Sequence, residues 1–187
     1  MTPLYCILVH HPVRDRAGET VTTSVTNLDI HDIARSCRTF GVARYFISTP
    51  IEAQRTLVSR ILEHWDTGAG ATRVPERADA LSHVEVVSSL EEAVARIEGR
   101  EGRSPRVLVT GARPAPGAAL RTLEEERAYL GEGATPTLLV FGTGHGLAQS
   151  LVDAADAILE PITGPSNYNH LSVRAAVAIT LDRLRSK

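Results

Sequence analysis

The chain has 187 residues, 43% of them hydrophobic and 22% charged, and a formal net charge of −2. This length makes one ordinary domain, able to bury roughly 70% of its unfolded surface, and the composition excludes wholesale disorder. The charge balance excludes a broad cationic surface, so any contact with nucleic acid has to come from a local patch.

Two cysteines, Cys6 and Cys37, each sit within an apolar pattern. They are too few for a disulfide framework and are expected as buried thiols in a reducing compartment. No apolar run approaches ~20 residues, and no early stretch joins a basic start to a long apolar run. The expectation is a soluble, cytoplasmic protein without a membrane span.

In chain order, strands are predicted at Leu4–Val9, Tyr45–Ile47, Val84–Val87, Val107–Val109, Thr137–Phe141 and Ala157–Leu159, where apolar runs carry β-branched residues. Helical periodicity covers Ile30–Phe40, Ala53–His64, Leu90–Ile97, Leu120–Leu130 and Leu171–Leu184. Such alternation predicts one α/β domain over residues 1–187, a mostly parallel sheet with helices on both faces. Residues His11–Thr26 contain Pro12, Gly18 and a Thr/Ser cluster but no apolar period. A connection this long is either a substrate-covering loop or a plain insertion. Gly68–Ala71 and Ala112–Ala119 read as surface loops.

In the first helix Ile30, Ile33, Ala34 and Cys37 form an apolar face. Asn27 is placed to cap the helix, with Asp29 and Asp32 near its positive end. His31, Arg35 and Arg38 share another face, which by itself reads as a solvated stripe. The last helix is apolar around nearly its whole circumference, from Leu171 to Leu181. It must be covered on two sides, and a second subunit can supply one of them.

The strongest local signal is Leu138-Leu139-Val140-Phe141-Gly142-Thr143-Gly144-His145-Gly146-Leu147, a buried strand running into three alternating glycines. Glycines there permit positive φ and let backbone amides approach a ligand. A dinucleotide fold is one reading, and Glu160, 18 residues after Gly142, mimics its ribose-binding acid. The spacing is G-x-G-x-G, however, without the third glycine of G-x-G-x-x-G, and too little chain remains for the second half of such a sheet. A tight strand-to-helix turn with no ligand is the other alternative.

Three further blocks narrow the choice. Glu160-Pro161-Ile162-Thr163-Gly164 and Tyr168-Asn169-His170-Leu171-Ser172-Val173-Arg174 come after the glycine loop, and Asn27-Leu28-Asp29-Ile30-His31-Asp32-Ile33-Ala34-Arg35 stands before it. With these blocks in this order, nearly the whole chain resembles the SPOUT (SpoU–TrmD) superfamily. The likeness is to stand-alone SAM-dependent RNA methyltransferase domains related to tRNA ribose 2′-O-methyltransferases. The resemblance implies a C-terminal trefoil knot, an exception to ordinary chain topology. It also implies a homodimer through the first and last helices, and an RNA substrate, tRNA or rRNA.

The loops that would hold S-adenosyl-L-methionine are, by that resemblance, Thr110, Gly111, Ala112 and Arg113; Gly142, Thr143, Gly144, His145, Gly146 and Leu147 with Pro161, Ile162 and Gly164; and Asn169, His170, Leu171 and Ser172. In the 2′-O branch an Arg stands seven residues before the Val of a Gly-Val pair, and counting back from Val42 in Gly41-Val42 reaches Arg35. Three positions differ from that branch. Asp29 stands where Asn is usual, the glycine loop lacks the Glu that often follows its first glycine, and His170 replaces an Asn. The acceptor therefore stays open between a ribose 2′-hydroxyl, which is favoured, and a base nitrogen.

Methyl transfer from a sulfonium is an in-line displacement, in which holding both partners in line contributes several kcal/mol, about 7 or more. Arg35 is the main catalytic candidate. Its guanidinium stays charged, so it suits bidentate holding of an RNA phosphate better than proton abstraction. Asp29 or Asp32 can accept a proton if the target is a base nitrogen, or can serve only as helix-start residues. The seven histidines are scattered and no metal site is expected. A non-catalytic SAM- or nucleotide-binding module keeps the same loop, and an NAD-type protein is the further alternative. No G-x-S-x-G elbow points to a hydrolase.

Overall fold

The computed structural model describes residues 2–67, 69–112, 120–133 and 135–186. In strand β1 (Leu4–Val9), Leu4, Cys6 and Leu8 enter one hydrophobic cluster while Tyr5, Ile7 and Val9 enter another. Successive strand residues face opposite ways, so an unbroken apolar run marks a strand covered on both sides. The same division recurs in β4 (Tyr45–Ser48), β5 (Val84–Val87), β6 (Arg106–Val109), β8 (Thr137–Gly142) and β9 (Ala157–Leu159).

With the short β7 (Leu120–Arg121), seven strands among the described residues form one sheet in the order β5-β4-β1-β8-β6-β9-β7, and every neighbouring pair is parallel. One face carries α1 (Asn27–Thr39), α2 (Glu52–Thr67), α4 (Pro75–Leu81), α6 (Leu123–Glu132) and α8 (Val173–Arg185), through Ile33, Val58, Leu81, Leu130 and Leu181. The other face carries α5 (Leu90–Glu101) through Ala93 and Ile97, and α7 (Gln149–Asp153) through Leu151. None of the described helices is long and apolar enough to cross a membrane.

Four local expectations change. The His11–Thr26 connection holds a short antiparallel hairpin of β2 (Val13–Arg14) and β3 (Thr20–Val21), and Val13 also bridges to Leu147. Two-residue strands leave no periodicity to read. The segment expected as a loop around Gly68–Ala71 contains α3 (Ala69–Arg73), whose Gly70 lies so close to Trp65 that a Cβ would meet the indole at 2.8 Å. Helix α1 is capped by Thr26, whose hydroxyl accepts from the Asp29 amide, and not by Asn27. The helix expected from Leu120 starts at Leu123, because Leu120–Arg121 is the edge strand β7 beside β9. Thr122 and Glu125 then form a reciprocal capping box, a start signal that the sequence does carry.

Behind that cap lies a buried ion cluster. Glu126 is fully buried and binds Arg106 through two hydrogen bonds, of 2.6 and 2.8 Å, and Arg121 Nε at 2.9 Å. It ties α6 to β6 and β7. Burial alone raises the Glu126 pKa, but the bonds to Arg106 and Arg121 outweigh it and the net shift is downward. A carboxylate depressed in this way contributes stability above its unfolded pKa of about 4.3, and the contribution is lost as pH falls through the lower folded value. Glu126→Gln leaves Arg106 without its carboxylate and Arg121 with only Glu125, at 3.6 Å, and is expected to cost about 3 kcal/mol, lowering Tm by about 6–12 °C at neutral pH. The gap to the parent should close below about pH 4, and thermal melts across that range check it.

Candidate active site

Parallel strands put their carboxyl ends on one edge, which is where open α/β sheets bind ligands. β8, β6 and β9 are neighbours, so the segments after them, Gly142–Leu147, Thr110–Ala112 and Pro161–Gly164, leave the sheet side by side. Thr110 donates both its amide and its hydroxyl to Val140 O, each at 3.0 Å, which seats the β6 loop against β8. Asn169 Nδ2 donates to Ala112 O at 2.8 Å and brings in the segment ahead of α8. Three separated blocks thus meet. Arg113 lies outside the described residues. Ser172 caps α8 by accepting from the Ala175 amide, and Leu171 is exposed.

The glycine loop owes its glycines to the protein itself. Gly144 and Gly146 have φ of +60° and +106°, and a Cβ on Gly144 would meet Arg14 O at 2.8 Å. His145 donates its amide to Arg14 O at 2.9 Å, and Arg14 donates to Gly146 O at 2.8 Å. The β2–β3 hairpin is therefore bonded to the loop, and Gly144 is constrained by that packing whether or not a ligand binds. Gly164 differs, because a Cβ there would meet nothing within 4 Å. The loops offer exposed backbone at Gly111, Gly144 and Gly164, with the half-buried side chains of Pro161 and Ile162 beside them. Backbone donors and acceptors flanked by apolar surface suit an adenosine and a small zwitterion, so the residues present fit S-adenosylmethionine.

Two residues at this edge escaped the sequence reading. His10 is fully buried at the end of β1; its Nδ1 lies 3.0 Å from Thr23 Oγ1, which is hydrogen-bonded to Thr143 Oγ1 in the glycine loop. Burial lowers the His10 pKa to about 4 against the opposing charge of Asp29, so the ring is neutral near pH 7. The first histidine of the His10-His11 pair, closing an apolar strand, was the available signal.

The second is Arg174, on α8. Its Nη1 donates to Asp29 Oδ1 at 2.8 Å, and its Nε is 3.6 Å from Asp32 Oδ2. Thr26 Oγ1 donates to Asp29 Oδ2 at 2.6 Å. Both oxygens of the buried Asp29 carboxylate are thus occupied, whereas Asp32 is half exposed. The polar stripe of α1 divides. Arg38 pairs with Asp79 at 2.6 Å, while Arg35 is exposed and makes no ion pair among the described residues.

The profile of a SAM-dependent RNA methyltransferase family matches residues 3–186. The chain belongs to the SAM-dependent RNA methyltransferase family. It is 49% identical over 181 residues to a protein of Oleidesulfovibrio alaskensis named tRNA (guanine-N(1)-)-methyltransferase, covering 97% of this chain and 41% of that one. The chain thus spans about two fifths of that relative's length. An uncharacterized protein of Aquifex aeolicus is 39% identical over 188 residues and is covered to 89% of its length. TrmJ of Z. mobilis ZM4 has the same fold, with a TM-score of 0.63 at 18% identity, covering 100% of this chain and 70% of that one. The SPOUT resemblance therefore holds at the level of fold, and methyl transfer from S-adenosylmethionine to RNA is the family's activity.

The loop assignment has a clean test in Gly164. Gly164→Val has room in the fold, so the melting temperature should stay near the parent's. A branched side chain at the ligand-facing surface should weaken S-adenosylmethionine at least about tenfold, or about 1.4 kcal/mol, by calorimetric titration. Parent-like affinity in the folded variant removes the β9 loop from the site.

Proposed function

We propose that this methyltransferase acts on tRNA, at a ribose 2′-hydroxyl, as a homodimer in the cytoplasm. The bound cofactor supplies an electrophilic methyl group on a sulfonium. The residues of the three strand-end loops orient it, and Arg35 holds the phosphate next to the acceptor ribose through its planar fork.

The observation that carries this reading is a contrast along α1. Arg35 is exposed and unpaired among the described residues, while Asp29 is closed off by Arg174 and Thr26. A base nitrogen would call for a free proton acceptor, and Asp29 is not one. Asp32 is left as the exposed carboxylate nearby. The dimer is supported by α8, where Ala175, Ala176, Ala178 and Ile179 stay only half-buried opposite the core residues Val177, Leu181 and Leu184. Leu28 on α1 and Leu171 before α8 are 58% and 47% exposed. A second copy covers that surface, and the α1–α8 pair is the interface. The trefoil knot belongs to the same proposal. The Asn169–Ala112 bond supports it, because it sets the segment before α8 against the loop after β6.

The O. alaskensis relative favours a second acceptor, guanine N1, by its name. That protein has more than half its length outside the match, where the named activity can equally reside. Nucleosides from tRNA of a strain lacking the gene, compared with its parent by mass spectrometry, decide. Loss of one 2′-O-methylnucleoside is expected. Loss of 1-methylguanosine instead overturns the ribose assignment.

A further inference from the structure

A groove of about 550 Å³ lies between α1, α2 and α4. Its walls hold three guanidinium groups, Arg35, Arg60 and Arg77, two imidazoles, His31 and His64, and one carboxylate, Asp32. None of these three arginines makes an ion pair among the described residues. A chain with a net charge of −2 has therefore gathered unpaired cations in one cleft.

Trp65 organises them. Arg77 lies over its ring at 5.1 Å, and His31 and His64 meet it edge-on at 5.6 and 5.9 Å. The indole is backed by Gly70. With that support the Arg77 guanidinium is fixed in direction, and little entropy remains to be lost when its fork meets an anion. His31 senses the field: burial lowers its pKa, Arg77 and Arg35 lower it further, and Asp32 opposes them. His31 Nδ1 and Arg77 Nε are also buried without a hydrogen-bond partner among the described residues, a rare condition that a ligand can relieve by reordering the cluster.

We infer that this groove is an RNA-docking site, in which Arg60 and Arg77 hold backbone phosphates of the strand whose reacting nucleotide lies near Arg35. Fixed guanidinium groups suit phosphate oxygens, and Ile61 offers apolar surface for a base or sugar. Arg35 ends the row at the α1 wall, so one strand can run from the groove towards the reacting centre. This rests on the reading of the chain as an RNA methyltransferase and extends it to residues of α2 and α4.

The test is fluorescence anisotropy with labelled, unfractionated bacterial tRNA over a salt series, run on the parent, Arg60→Ala/Arg77→Ala and Arg77→Lys. Arg103→Ala, just past α5, serves as an exposed control. The double variant is expected to lose about tenfold or more in tRNA affinity, with its log–log salt slope shallower by about 1 to 2. Melting temperature and S-adenosylmethionine affinity should hold, Arg77→Lys should recover only part of the loss, and Arg103→Ala should match the parent. Equal tRNA binding by the double variant and the parent overturns the groove and leaves the enzymatic reading standing. A loss matched by Arg103→Ala also overturns it, since charge anywhere would then suffice. Sodium polyglutamate that displaces tRNA as well, charge for charge, as polyphosphate does shows a site for acidic protein instead. Failure of the enzymatic reading would appear separately, as no methyl transfer by a parent protein that still binds tRNA through Arg60 and Arg77.

Discussion

Arg35→Ala should abolish most methyl transfer while leaving the molecule folded. The side chain is exposed on α1, away from the buried row of Ile30, Ile33, Ala34 and Cys37, and has no ion-pair partner among the described residues to lose. Exposed substitutions of this kind stay within about 0.5 kcal/mol in stability. Loss of a group that aligns the acceptor should lower turnover at least about 100-fold, with S-adenosylmethionine affinity unchanged. Arg35→Lys should restore only a small part, because an ammonium keeps the charge but not the bidentate fork. The dimer gives the same variant a second readout. Light scattering should show about twice the 20.2 kDa of one chain, and mixing Arg35→Ala with Gly164→Val, at an S-adenosylmethionine concentration too low to saturate the latter, should restore some activity if each site draws on both copies. Near-full turnover by Arg35→Ala on tRNA would return the residue to a solvated surface role.

Asp29 should behave as a structural pin between α1 and α8 and not as a base. Its side chain is 7% exposed, and its two oxygens accept from Arg174 and Thr26. Asp29→Asn leaves Arg174, about a third exposed, with only the more distant Asp32 at 3.6 Å and is expected to cost about 2 kcal/mol, or about 4–8 °C in Tm. Arg174→Ala should cost a similar amount and weaken the dimer, since both residues belong to the α1–α8 pair. Turnover per folded dimer should fall only a few-fold in either variant. A base behaves differently: Asp29→Asn would then abolish transfer with a parent-like melt, and the pH–rate profile would lose its acid limb.

Much of the fold was legible because buried parallel strands advertise themselves. Leu4–Val9, Val84–Val87 and Ala157–Leu159 have the same bounds in sequence and structure, and the first and last are unbroken apolar runs, which have no other way to be covered on both sides. The errors fall where an element is too short to show a period. The β2–β3 hairpin, the edge strand Leu120–Arg121 and α3 are each held by neighbours distant in sequence, such as Leu147, β9 and Trp65. The strand-end loops were readable from motif order, and the sheet topology makes three of them adjacent. Gly144 shows the limit of that reasoning. Its glycine is required by a contact with Arg14, 130 residues earlier, which no local pattern reveals. The Asp29–Arg174 pair and the arginine groove are likewise products of tertiary approach. Arg35, His31 and Arg38 looked like one stripe until α4 divided them between Asp79 and the groove.

The central claim is that this single chain carries a methyl group from S-adenosylmethionine to RNA at the edge formed by the β6, β8 and β9 loops. The most direct measurement incubates the purified chain with S-adenosylmethionine labelled in its methyl group and unfractionated tRNA, then digests the RNA and traces the label. Label is expected in a 2′-O-methylated, alkali-resistant dinucleotide, dependent on Gly164 and Arg35. RNA that stays unlabelled, by a folded chain that binds both S-adenosylmethionine and tRNA, would contradict the account and leave a binding module in place of an enzyme.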